Sequence, residues 1–431
     1  MLKFDDYNWN YIDECLLDSY KESIERISKK EKALNLETHE NCYMLPLRKR
    51  VLTHVVYEGG ILDSNKNFIE TAKMLPNRIY NGYDFDSKTV NYDDREVIFA
   101  GYFLNHWGHF ILEHVSRLWY FLNEKDTSLP IVYLGDRKLQ GSYLEFFELL
   151  GINADRLVWV DKITKFRKIH IPDVSMVAMD YYTNEYAKIF EKIRAGVSKD
   201  NNYPKKIFFT RRNLTKATIT DFGATKEIED FFENNGYTLI SPEKLSLKEQ
   251  IKYLKSCEEY ACVSGTLPHN LLFADNNIKS IILNKSYGIN PHQPLIEKVR
   301  GITPLYIDTH ISILPENIGL GPFFFSFSEN LIKWGADNNL NYIPCSNDKY
   351  LLQYLKGFLK TPPNIKRRFW IFKNLNIKYR NYYLTKFKHK NLIKLLLKIF
   401  PIVLAINELS KTTDSKFHKL ILIIQTKCQI L

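Results

Sequence analysis

The chain has 431 residues, 45% of them hydrophobic and 25% charged, which excludes a disordered or fibrous protein and predicts two or three domains. Its net charge of +11 is local: Lys349 to Asn407 holds fourteen Lys and Arg and no Asp or Glu, and Met1 to Asp348 is net acidic. That asymmetry argues against a nucleic-acid-binding body. The six cysteines (Cys15, Cys42, Cys257, Cys262, Cys345, Cys428) are scattered and form no Cys-x-x-Cys pair. They read as reduced thiols of a cytosolic protein, not as a disulfide framework or zinc site. The acidic, apolar-poor N-terminus predicts no signal peptide, and the lack of an 18-residue apolar run predicts no membrane-spanning helix.

Taken in order, the chain opens with a charged helical stretch from about 11 to 32. Strand-like pieces follow at 50–57 and 61–63, with Gly59-Gly60 between them as a turn signal. Asp63 to Asn67 reads as a hairpin turn. Asp84-Phe85-Asp86 matches the Asp-x-Asp pattern with which some sugar transferases hold a metal–nucleotide. A three-letter pattern in a Gly/Asn/Asp loop arises readily by chance, and no metal is assigned to it.

The most informative stretch is 97–119. Val97-Ile98-Phe99-Ala100 reads as a buried strand that Gly101 breaks, and an amphipathic helix follows. Phe110, Ile111, Leu112, Val115, Leu118 and Trp119 supply its apolar face. Residues three, four and seven apart share a helix side, so His106, His109, Glu113 and Arg117 form a polar stripe. A structural polar ridge is one reading of that stripe. Metal binding is another, but neither His-Glu-x-x-His nor its inverse is present. Acid–base chemistry is the third, because a carboxylate one turn from an imidazole fixes its tautomer and raises its basicity.

Strands and helices then alternate: strands at 130–134, 156–160 and 168–172, helices at 142–150 and 183–197. This predicts a parallel sheet wrapped by helices. A polar break at 199–204 reads as a linker. A second alternating unit has strands at 206–210, 237–240, 260–263, 280–283 and 305–308. Its helices fall at 225–234 and from 246, where Ser246 and Glu249 form a capping box. A further helix is predicted from Pro268.

In open α/β sheets ligands bind beyond the carboxyl ends of strands. Arg211, Arg212, Glu243 and the turn Ser264-Gly265-Thr266 fall at such ends, with His269 and Asn270 just after. Small residues at a strand-to-helix turn admit an anion to backbone N–H groups. Paired arginines suit phosphate oxygens. Glu243 suits a ribose hydroxyl or a helix cap.

With these stretches together, the chain resembles the family-61 glycosyltransferases, which include bacterial members of capsular and surface polysaccharide synthesis. The resemblance lies in His109-x-x-x-Glu113-x-x-x-Arg117-Leu118, in Thr210-Arg211-Arg212 with Ser241-Pro242-Glu243 and Ser246 to Gln250, and in Val263 to Phe273. It covers about residues 95 to 275. Members carry a Gly-x-His-Gly-Ala type turn, whereas His269 here comes later and lacks the flanking small pair. The resemblance implies an α/β, GT-B-like arrangement of two Rossmann-like domains facing a cleft. It implies inverting transfer from a nucleotide-sugar donor to a glycan or lipid-linked glycan acceptor, with no cofactor or metal required. His109 is then the expected base, oriented by Glu113, with His106 and Glu113 as rivals for that role. Arg211, Arg212, Glu243, Ser264, Gly265, Thr266, His269 and Asn270 are expected on the donor, and Arg117 in a structural or acceptor-side place.

The expected division is an acceptor-side domain over 1–200, a donor domain over 201–348 and a basic helical tail over 349–431. Within the tail, 366–373 and 391–400 join basic faces to Trp, Phe and Leu. They read as interfacial helices on an anionic membrane surface, as a pair packing on the protein or a partner, or as a nucleic-acid contact, which is not expected here. The protein is expected at the inner face of the cell membrane. A non-catalytic carbohydrate-binding or scaffolding member of the same fold is the alternative.

Overall fold

Residues 97–103, all buried, form the spine of the first sheet in a computed structural model that describes residues 2–51, 55–73, 79–123, 128–314, 321–360, 382–388 and 391. The strands are β1 (Leu36–Val51), β2 (Val55–Leu62), β3 (Ile79–Asn81), β4 (Asn91–Phe103), β5 (Ile131–Gly135), β6 (Leu157–Trp159) and β7 (Thr164–Pro172). Their order is β3-β2-β1-β7-β4-β5-β6. Strands β7, β4, β5 and β6 are parallel, and β1 and β2 extend the sheet as an antiparallel hairpin. Gly101 does not break β4. It makes a bulge, since Phe99 pairs with Val132 and Gly101 with Tyr133. The extra residue shifts the alternation by one, so Ile98, Ala100 and Phe103 share one face while Val97, Phe99 and Tyr102 share the other. Gly59 and Gly60 also lie inside a strand, β2, where a side chain on Gly59 would meet the carbonyls of Leu45 and Pro46 at 2.9 and 2.8 Å.

The second sheet is wholly parallel: β8 (Lys206–Phe209), β9 (Thr238–Ile240), β10 (Glu259–Val263), β11 (Lys279–Asn284) and β12 (Leu305–Asp308), in the order β9-β8-β10-β11-β12. The strand order reverses between β8 and β10, so the crevice at their carboxyl ends is the topological switch point.

One helical layer lies between the two sheets. From the first half come α2 (Trp107–Leu112), a 3-10 helix at His114–Leu122, α3 (Ser142–Leu150) and α4 (Asn184–Ala195). The second half adds α6 (Leu247–Ser256), a 3-10 helix at Leu267–Phe273 and α7 (Gln293–Arg300). Ile98 and Phe103 of the first sheet and Ile207 and Phe209 of the second belong to one continuous core with these helices. The outer face of the second sheet is closed by α5 (Thr225–Asn234) and α8 (Glu329–Asp337). Ser246 caps α6 by accepting the Glu249 N–H at 3.1 Å.

The start of the chain departs from expectation. Only α1 (Leu17–Glu25) is α-helical in 11–32, because the backbone before it bonds to β12. Asp308 N–H donates to Tyr11 O at 3.0 Å, and Asp13 N–H to Asp308 Oδ2 at 2.7 Å. Tyr20 also donates to Asp308, and Asn284 donates to both, at 2.8 Å to Tyr20 and 2.9 Å to Asp308. Burial, and then the nearby Asp13 charge, raise the Asp308 pKa.

The tail is partly integrated. Leu351, Tyr354 and Phe358 of α9 (Asp348–Leu359) pack with Tyr383, Leu384 and Phe387 against Phe222 and Phe324. The segments 366–373 and 392–400 lie outside the described residues.

Removing the Tyr20 hydroxyl leaves a buried carboxyl short of a donor. Tyr20→Phe is expected to destabilise the fold by about 1–3 kcal/mol, measured as a lower urea midpoint with an unchanged slope.

Candidate functional site

Leu104 to His106 carry the chain from β4 into α2. His106 is the N-cap, its Nδ1 accepting the His109 N–H at 3.4 Å. The His106 ring lies 4.5 Å from that of His109. His109 Nδ1 lies 3.1 Å from Glu113 Oε2, with the carboxylate buried and the imidazole partly open. The pair is close but not aligned as a hydrogen bond. The expected stripe stops there. After Leu112 the helix tightens to 3-10, which turns by 120° per residue and carries Arg117 away. Arg117 is buried and donates to the carbonyls of Pro172, Thr71 (2.6 Å) and Lys73 (3.1 Å). It shares with Glu113 the lining of a cavity of about 20 Å³. Arg117 therefore ties strands and loops together, apart from the imidazoles.

Facing α2 is the turn after β10. Trp107 Nε1 donates to Asn270 Oδ1 at 2.9 Å, so that amide oxygen holds the two halves together. A methyl group on Gly108 would lie 3.0 Å from Thr266 Oγ1 and 3.3 Å from His269 Cδ2. The helix expected from Pro268 is a seven-residue 3-10 helix with no side-chain cap at Thr266. His269 Nδ1 lies 3.0 Å from Gln293 Oε1. An amide oxygen only accepts, so with this amide orientation Nδ1 carries the proton and Nε2 is a bare acceptor. Burial pushes the His269 pKa down to about 3, so the ring is neutral near pH 7. Behind it, on the same helix, lies Glu297, whose buried carboxyl accepts from Tyr7 at 2.6 Å and from Tyr306. Burial raises Glu297 to about 7 against these hydrogen bonds.

At the switch point, Arg211 follows β8, and Ser264 and Gly265 follow β10. Arg211 lies 3.4 Å from Asp221 Oδ2, and Arg212 is paired with Glu229 of α5 at 2.6 Å. Ser264 Oγ accepts the Lys285 N–H at 3.2 Å. Glu243 is exposed beyond β9, one strand further out. Asp86 accepts the Lys88 N–H at 2.9 Å as the cap of a short turn. Among the described residues no group of three or more His, Cys, Asp or Glu converges as metal ligands, and no helix is long and apolar enough to cross a membrane.

Two residues here were not singled out from the sequence. Lys285, buried at the carboxyl end of β11, has its Nζ 3.4 Å from where a methyl group on Gly265 would lie. The rule that selects Arg211 and Ser264 selects it too. His292 lies 5.9 Å from the His109 ring and 6.5 Å from that of His269. No local pattern marks it, because a long-range contact brings it there.

Residues 107–282 match the Glycosyltransferase 61 family model. The Glycosyltransferase 61 match starts at the first residue of α2 and ends within β11, so it spans both sides of the site. It supports a glycosyltransferase, with sugar donor and acceptor as substrates. No curated protein matches the chain.

The Glu297 pKa gives a pH signature. Unfolded, the carboxyl ionises near 4.5; folded, it holds its proton to about 7. The folded state therefore binds more protons in this window, and stability from this group falls as pH rises through it. Relative to Glu297→Gln, the wild type should lose about 3 kcal/mol between pH 4.5 and 8. Urea unfolding of both proteins across that range checks this.

Proposed function

We propose that the protein is an inverting glycosyltransferase that moves a sugar from a nucleotide-sugar donor to a glycan or lipid-linked glycan in surface polysaccharide synthesis. The observation that carries the reading is the packing of α2, which bears His109 and Glu113, directly on the turn at the switch point of the second sheet. An inverting transfer needs a base at the acceptor hydroxyl and positive charge around the leaving diphosphate, with the reacting atoms held about 3–3.5 Å apart.

His109 is the base in this reading. Its Nδ1 faces Glu113, so Nε2 is the position from which it takes the acceptor proton. The acceptor oxygen then attacks the anomeric carbon from the face opposite the diphosphate, whose departure inverts that centre. Glu113 holds the tautomer and stabilises the imidazolium, as a buried carboxylate behind a histidine does. Arg211, Lys285 and the backbone of Ser264 to Thr266 receive the diphosphate in a crevice of the kind where parallel sheets bind nucleotides. Arg212 contributes only by leaving Glu229. His269, neutral and with a bare Nε2, accepts a hydrogen bond from a sugar hydroxyl. The arrangement is GT-B-like in that the base and donor sides come from different sheets. The basic content of 366–373 and 392–400 supports attachment to an anionic membrane surface.

His109→Ala should lower transfer by at least about a hundredfold with an unchanged melting temperature; turnover like that of the wild type would remove the base assignment. A thermal-shift screen against UDP, GDP, CMP and their sugar conjugates should give one clear stabilisation. Arg211→Ala should weaken binding of that nucleotide about tenfold or more, and unchanged affinity would remove the arginine from the donor site.

A further inference from the structure

A second cavity, of about 420 Å³, opens beside α2 at the carboxyl ends of β4 and β5. Phe103, Leu139 and Tyr143 give it an apolar side, and Asn105, Arg137 and Lys138 a polar one. Arg137 and Lys138 are exposed and form no ion pair among the described residues. The neighbouring carboxylate, Asp136, is engaged by the Asn105 N–H at 3.2 Å. Tyr143 lies within the fields of both Arg137 and Asp136: burial raises its hydroxyl pKa, Arg137 opposes that rise and Asp136 adds to it. Its ring packs edge-on against Trp107 at 5.5 Å and Phe110 at 4.9 Å, so the cavity wall continues into α2. One residue after Asn105 comes His106, whose ring touches that of His109.

We infer that this cavity is an acceptor subsite for a sugar bearing a phosphate or carboxylate group. The inference rests on the transferase reading and adds the class of acceptor. The aromatic and aliphatic side fits the C–H face of a sugar ring, and two cations with no ion-pair partner among the described residues fit an anionic substituent. The two cations lie on the loop after β5, while the base lies one turn into α2. An acceptor anchored by its anion is thereby held with a hydroxyl toward the imidazoles. A neutral acceptor would leave both cations unused.

The test is an NMR titration of the full-length protein with glucose 1-phosphate, glucuronic acid and glucose. The nucleotide that raises the melting temperature is present at saturation, so the donor side is filled. One or both anionic sugars should bind about tenfold tighter than glucose, and the two arms separate phosphate from carboxylate recognition. The double variant Arg137→Ala/Lys138→Ala should lose that preference while keeping the thermal shift with nucleotide. Equal binding of all three sugars by the wild type, or a preference that survives in the double variant, would overturn the subsite. If no nucleotide binds, the transferase reading falls instead, and the same sugar comparison without nucleotide still decides the subsite.

Discussion

Contact between α2 and the turn after β10 is the constraint on which the site depends. A side chain on Gly108 would press Thr266 and His269 aside, and the Trp107–Asn270 hydrogen bond fixes the contact laterally. Interiors are close-packed, so even a methyl group here must displace something. That approach brings the His109–Glu113 pair of the first half beside His269 and His292 of the second. The geometry of the site is thus a packing problem before it is a chemical one.

The same close packing explains why the two halves form one body. Alternating residues of β4 and of β8 feed a single apolar core through a shared helical layer. The first residues of the chain reinforce it from outside. Tyr7 reaches Glu297 in α7, and Asp13 and Tyr20 reach Asp308 at the end of β12. Buried carboxyls are costly unless donors surround them, and here backbone and side-chain donors do. Glu297 and Gln293, the latter on His269 Nδ1, sit on the same helix α7, so the outer clasp and the His269 contact share one element.

Charge is distributed with similar economy. Arg117, Arg211 and Arg212 are engaged by carbonyls or carboxylates, so their sequence positions alone say little about ligands. Arg137 and Lys138 differ because they line a cavity and have no ion-pair partner among the described residues. Arg117, held by three carbonyls, maintains the fold; Arg211, in the proposed function, serves a ligand while sharing its charge with Asp221, whereas a cation left facing a cavity has its charge available outright.

Much of this was legible in the sequence. The alternation of apolar runs and helical patterns fixed a parallel second sheet, since strand period and turn chemistry are local properties. The carboxyl-end rule brought Arg211 and Ser264 to the switch point, and helical spacing paired His109 with Glu113. Other features needed the tertiary structure. Arg117 left the stripe because the helix tightened under packing, and Gly101 became a bulge because β4 had a parallel partner to match. The stretch before α1 gave its backbone hydrogen bonds to β12 instead of to a helix. Lys285, His292 and Gln293 joined the site through contacts between residues far apart in the chain. Sequence determines what each segment prefers by itself; which side chains meet is decided only when the halves pack.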